Sequence, residues 1–168
     1  MRDAETMEVA LHAAETGHLV LSTIHTLNAT ETINRIVSIF PPHQEEQVRG
    51  QLAGVLEGIV SQRLIVRADG KGRVPAVEVL VATGLIRDSI RDASRTNQIP
   101  NAIAAGQSQY GMQTFDQSLY DLYTQNLINY ETALENATNP DDFKLRCSGI
   151  GSGTDTAREQ MEGAGSGR

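Results

Sequence analysis

A single glycine changes the period of this chain. Residues Asp3 to Thr16 place Val9, Leu11, Ala13 and Ala14 among Glu5, Glu8 and Glu15, a pattern that suits a helix ending at Gly17. Directly after it, His18-Leu19-Val20-Leu21-Ser22-Thr23-Ile24 is short, rich in branched residues and unbroken, which predicts a buried strand. Side chains alternate along a strand, so His18 and His25 leave opposite faces, roughly 23 Å apart at about 3.3 Å per residue. They cannot share one zinc ion while the strand is straight. If the sheet is parallel, the outgoing end with Ser22, Thr23, His25 and Thr26 is where ligands bind.

The following residues alternate between helix and strand signals. Asn28 or Thr30 can cap a helix through Ile33, Ile36, Val37 and Ile39, stopped by Phe40-Pro41-Pro42. From about His43, the residues Val48, Leu52, Val55, Leu56 and Ile59 recur at helical spacing. Two strand-like runs, Ser61 to Arg67 and Val74 to Val81, flank Asp69-Gly70-Lys71-Gly72, which is good hairpin chemistry. Beyond Thr83 the pattern is helical throughout, with segments around Leu85–Ser94, Ile99–Ala105, Thr114–Gln125, Tyr130–Asn136 and from Pro140 to Cys147. Six of the fifteen glycines fall in the polar stretch from Ser148 to Arg168, which reads as a disordered tail.

Composition removes several functions. A net charge of −7 argues against a nucleic-acid binder, which needs clustered Lys and Arg. One cysteine, Cys147, excludes an internal disulfide and a CxxC zinc site, and the four histidines lack standard zinc spacing. No apolar run reaches membrane-spanning length and no leader opens the sequence, so a cytoplasmic chain is expected. Met1-Arg2-Asp3 enters a helix without the strand that should precede it in an α/β unit, so an upstream portion is expected to be missing. The exposed sheet edge this would leave predicts marginal stability.

Four segments in order carry a resemblance. Met1-Arg2-Asp3 is similar to the end of a Walker B segment, and Thr16 to Thr26 to a histidine box. Phe40-Pro41-Pro42-His43-Gln44, leading into Gln47-Val48-Arg49-Gly50-Gln51-Leu52, is the third, and Ser108-Gln109-Tyr110-Gly111-Met112-Gln113-Thr114-Phe115-Asp116-Gln117 the fourth. Together, from Met1 to about Cys147, they resemble the secretion-ATPase superfamily, and within it the PilT-like retraction ATPases of type IV pili. Assembly ATPases and their type II secretion relatives typically carry paired CxxC motifs after the stretch resembling Ser61-Gln62-Arg63-Leu64. Here Asp69-Gly70 follows with no cysteine. Leu85-Ile86-Arg87-Asp88-Ser89-Ile90-Arg91-Asp92 keeps both Ile-Arg pairs and the closing acid of a retraction motif, and departs from it at Leu85, Asp88 and Ser89.

The resemblance implies an α/β fold: the C-terminal part of a RecA-like ATPase core over residues 1–82, a helical subdomain over 83–147 and the tail over 148–168. It implies ATP and Mg²⁺ as cofactors of the complete protein, a homo-hexamer, an inner-membrane pilus platform protein as partner, and a place at the inner-membrane face. By resemblance His25 and His18 are catalytic-box residues, with His25 reading the γ-phosphate; Arg2, Asp3, Thr23 and Thr26 bind nucleotide; Ile86, Arg87, Ile90 and Arg91 couple hydrolysis to motion. No metal ligand set is expected, and no zinc.

The chain departs from the family's chemistry in one respect. A phosphate loop reads G-x-x-x-x-G-K-[ST], yet Lys71 precedes Gly72 with Ile65 in place of the first glycine, and Lys144 precedes Leu145. The family's Walker B Glu would stand before Met1. Alone, the chain should bind no cofactor and hydrolyse no ATP. The alternatives are a non-catalytic module that docks onto complete motor subunits, or a fragment of an assembly or type II secretion ATPase. Apart from the resemblance, His25 reads as a hydrogen-bonded strand terminus, Asp3 as a helix cap, and Arg87, Arg91 and Arg95 as a solvated stripe.

Overall fold

The computed structural model describes residues 3–149. Arg2 and the part of the expected tail from residue 150 onward lie outside them. Helices α1 (Ala4–Glu15), α2 (Ala29–Val37) and α3 (Glu45–Val55) precede an antiparallel hairpin of β1 (Gly58–Val66) and β2 (Arg73–Val81). Then come α4 (Gly84–Arg91), a 3₁₀ turn (Ala93–Gln98), α5 (Ile99–Ala105), α6 (Gln107–Tyr110), α7 (Phe115–Thr124), α8 (Tyr130–Asn136) and α9 (Pro140–Cys147). This mixture of helices with a small sheet is the expected α/β class.

The chain packs as two compact units, residues 3–63 with 77–114, and residues 64–76 with 115–149. Both strands contribute to both units, so the division differs from one drawn at residue 82. The first unit is built on Met7 and Leu11 of α1, Ile33 and Val37 of α2, and Leu52 of α3, with Ile86 and Ile90 of α4 fully enclosed. In the second, Phe143 of α9 packs with Phe115 and Leu119 of α7, Ile65 and Ala76 of the hairpin, and Ile128.

Local chemistry sets the element ends. Asp3 caps α1, its carboxylate accepting the Thr6 N–H at 2.8 Å. Gly17, at φ +91°, closes that helix: its N–H donates to the Ala14 carbonyl and the His18 N–H to that of Ala13, a Schellman arrangement open to a left-handed residue. Asn28 caps α2, accepting the Glu31 N–H at 2.8 Å. Gly111, at φ +68°, ends α6, and Gln113 then forms an antiparallel bridge with Val79 of β2.

Three expectations need correction. The predicted buried strand over His18–Ile24 is a segment without regular secondary structure and without a strand partner among the described residues; Leu19 is 84% and Leu21 87% exposed. A strand of this apolar pattern is buried only between neighbouring strands, and the two described strands pair with each other. The segment borders a groove of about 1170 Å³ whose other walls include Leu52 and Val55 of α3 and Ile59 of β1. Second, the helical stripe beginning at Val48 stops at Val55, because Leu56 is already extended. Ile59 belongs to β1, where a Cβ at Gly58 would come within 3.0 Å of the Leu80 carbonyl. Third, α4 ends at Arg91 rather than Ser94, since the Asp92 carboxylate takes the Ser94 N–H and turns the chain. Arg95 therefore leaves the stripe of Arg87 and Arg91.

Candidate functional site

The outgoing end of the segment after α1 meets the start of α2 in a tightly bonded corner. The hydroxyls of Thr26 and Thr32 lie 2.6 Å apart, and Thr32 also donates to the Asn28 carbonyl at 2.9 Å. The Leu27 N–H donates to the Glu31 carboxylate at 3.2 Å, while Asn28 takes the Glu31 N–H. His25 stands exposed beside this corner. With Thr26, Glu31, Asn34, Arg35 and Ser38 it lines an open hollow of about 460 Å³. Residues 31, 34, 35 and 38 share one face of α2 because they follow helical spacing. The hollow is rich in donors, with one carboxylate, Glu31, on its rim.

The corner is anchored from the hairpin by a residue the sequence reading missed. Glu78 of β2 is buried and accepts the Ala29 N–H, the first amide of α2, at 2.7 Å. Burial pushes this carboxyl up from its ordinary range, against the opposing pull of the Ala29 N–H, the Ser61 side chain and the Arg63 charge. One signal in the sequence pointed to it. Positions 76, 78 and 80 of β2 share a face, and an acid between Ala76 and Leu80 stands on the buried parity.

His18 stands apart from the corner. Its Nδ1 lies 3.2 Å from both the Thr16 hydroxyl and the Ala13 carbonyl, folded onto the end of α1. Asp3 caps α1, and three backbone or side-chain bonds of Thr6 and its own turn hold its carboxyl below the usual range. Thr23 is exposed in the segment between α1 and α2. The structure thus gathers Thr26 and His25 and leaves His18 and Asp3 at the two ends of α1. His12 and His43 are exposed. Among the described residues no group of three or more His, Cys, Asp or Glu is placed to hold a metal ion. No helix there is long and apolar enough to cross a membrane.

The expected coupling residues form a second cluster in the same unit. Arg87 donates to the carbonyls of Ala53 at 2.7 Å and Gly54 at 3.0 Å, the unpaired last turn of α3, and to Ala82 at 2.9 Å. It also reaches Glu57 at 3.3 Å. Arg49 of α3 returns the arrangement, donating to the Ile90 carbonyl at 3.2 Å near the end of α4 and to Thr96 at 3.3 Å. Two helices therefore close each other's C-termini with guanidinium groups. Ile86 and Ile90 sit between them with no exposed surface. Arg91 makes an exposed pair with Asp88 at 3.1 Å.

The comparisons with known proteins agree along nearly the whole chain. A family described as "Type II/IV secretion system protein" matches residues 1–159. A "Twitching motility protein" of Neisseria gonorrhoeae is 45% identical over 145 residues, 86% of this chain and 38% of that protein. The "Type IV pilus retractation ATPase PilT" of Pseudomonas aeruginosa is 45% identical over 143 residues, 85% of this chain and 41% of that protein. The solved structure "Crystal Structure of the Pilus Retraction Motor PilT and Bound ADP" superposes with a TM-score of 0.69 at 48% identity, covering 84% of this chain and 38% of that one. The chain thus spans about two fifths of the length of these curated relatives. With its fold and most of its length matched in this way, the chain belongs to the type II/IV secretion system protein family.

Proposed function

We propose that the chain is the C-terminal portion of a hexameric motor ATPase that powers type IV pilus retraction, and with it twitching motility. Residues 1–82 complete an ATPase core, and residues 83–147 pass its motion on. The observation that carries this reading is the corner at residues 25–32, set in a chain with close likeness to retraction ATPases. An exposed imidazole stands beside a corner tied by four hydrogen bonds, three of them to the backbone.

ATP with Mg²⁺ in the complete protein supplies the phosphoanhydride. The residues present fit part of that group. His25, Thr26, Asn34, Arg35 and Ser38 offer donors to an anionic oxygen, whereas the sequence has no phosphate loop to hold a triphosphate. In this reading His25 and Thr26 contact the terminal phosphate, and Thr23 faces the same nucleotide. By resemblance Arg2 and Asp3 also bind nucleotide, with His18 as the second residue of the box. Arg87 and Arg91, with Ile86 and Ile90 packed behind them, carry the change into the helical part. The homo-hexamer, a platform protein in the inner membrane as partner, a cytoplasmic place against that membrane, and the absence of nucleic-acid and zinc partners all belong to the same proposal.

The test is a chimera. The matched 143 residues of the Pseudomonas aeruginosa protein are replaced by this chain, and the product is assayed for ATP hydrolysis, assembly state and restored twitching in cells lacking that protein. Hydrolysis and twitching are expected, both lost with His25→Ala. A chimera that folds and assembles but neither hydrolyses ATP nor restores twitching sinks the reading. A second reading, a non-catalytic module docking onto complete subunits, draws on the missing phosphate loop. It takes the lead if the 168-residue chain binds intact subunits and stops their ATPase.

A further inference from the structure

Three side chains on one face of the hairpin converge on the corner that bears His25. On β2, Glu78 lies between buried Ala76 and Leu80, so its carboxylate points into the first unit rather than to solvent. From β1, the Ser61 hydroxyl bonds it and Arg63 faces it with a positive charge. Its oxygen takes the N–H of Ala29, a residue with no exposed surface, across 49 positions of sequence. That amide is one of the four at a helix N-terminus that lack an intrahelical partner, and the positive end of the helix suits an anion there. Further along the first turn, the Glu31 amide goes to the Asn28 side chain and the Thr32 amide to the Asn28 carbonyl.

We infer that Glu78 is a positioning residue for the His25 corner: held on the hairpin by Ser61 and Arg63, it grips the first amide of α2 and so fixes where residues 25–28 stand. This rests on the reading of His25 and Thr26 as the groups that meet phosphate. The consequence for that site is regulation through the sheet. A shift of the hairpin moves α2's first turn, and a shift of the 25–28 backbone is felt at Glu78. A carboxylate suits the task because it has a second oxygen. One holds Ala29 while the other remains available to Ser61, so the amide stays fixed from outside its own helix.

The experiment uses the 168-residue chain without nucleotide. Amide hydrogen exchange and resonance positions are followed by NMR in wild type, Glu78→Ala, Glu78→Gln and Ser61→Ala. Glu78→Ala should speed exchange at Ala29 by about tenfold to a hundredfold and displace the His25 and Thr26 resonances. The amides of Ile86 and Ile103, in the same unit, should keep their protection. Glu78→Gln keeps an acceptor oxygen in the same place and should restore both signals. Ser61→Ala should give a smaller acceleration of the same sign, and carries the test if Glu78→Ala does not fold. Two results overturn the inference. One is faster exchange at Ala29 matched by equal acceleration at Ile86 and Ile103, which is general loosening. The other is an unmoved His25 resonance in both Glu78→Ala and Ser61→Ala. Because no arm contains ATP, failure here leaves the ATPase reading standing, and an inactive chimera leaves the Glu78 geometry standing.

Discussion

Replacing Arg87 by alanine removes the group that closes α3. The guanidinium makes three bonds to main-chain carbonyls, at 2.7, 2.9 and 3.0 Å, and one to Glu57 at 3.3 Å. The Glu57 carboxylate is 83% exposed, so that contact contributes little. The carbonyl bonds differ, because the arginine is 24% exposed and carries charge against oxygens that have no helical partner. Charged hydrogen bonds contribute about 1.5–3 kcal/mol, but here water can replace part of the loss at the Gly54 carbonyl. We expect a net destabilisation of about 2–3 kcal/mol, or roughly 5–10 °C in Tm for a chain of this size. Thermal and urea unfolding of Arg87→Ala and Glu57→Ala measure it. The variant lacking Glu57 should melt within about 1 °C of wild type. If the two variants lose stability equally, or if Arg87→Ala melts with wild type, the clamp is not what joins α3 to α4.

Other perturbations follow from the same geometry. Gly17→Ala should destabilise by about 1 kcal/mol from backbone strain alone, since φ is +91° and a Cβ there meets nothing within 4 Å; equilibrium unfolding reads it, and a neutral result refutes the cap. Glu78→Gln should gain on wild type as pH rises. Burial raises the carboxyl above its ordinary 4.5, so ionisation costs folded wild type stability above that raised value, and nothing below 4.5 where both states are protonated. The exposed aspartates Asp3, Asp69 and Asp92 shift the other way and lose their contribution as pH falls, but equally in both proteins. A stability difference that stays flat between about pH 4 and pH 7 contradicts the burial argument. The purified 168-residue chain should hydrolyse ATP no faster than buffer, and measurable turnover that survives repurification contradicts the missing phosphate loop.

Signals confined to a few neighbouring residues were legible, and those that depend on distant partners were not. Asp69-Gly70-Lys71-Gly72 marked the hairpin because a tight turn writes its own chemistry, with the Asp69 carboxylate taking the Lys71 N–H. Asn28 before α2 and Pro140 at the start of α9 were equally local. The segment at His18–Ile24 is largely exposed although its apolar residues carry a buried strand's pattern, because that pattern does not record which strands lie beside it. Arg87 looked like one member of a charged stripe, since nothing near it in sequence reveals the carbonyls of Ala53 and Gly54 that it caps. Glu78 was readable by parity alone, and its partner Ala29 was not. At the site, His25 with Thr26 was legible from the motif, whereas the hollow they share with Asn34, Arg35 and Ser38 required α2 to be placed.

The exchange of arginines between α3 and α4 bears on how this part of the molecule forms. At eleven and eight residues, both helices are too short to persist alone in water. Each leaves its final carbonyls without partners until the other supplies a guanidinium, and the two isoleucines between them lie buried only once both are in place. Neither helix can be finished first. The pair should therefore appear and disappear as one cooperative step, with the late amides of both helices exchanging together under mild denaturant rather than fraying one helix at a time.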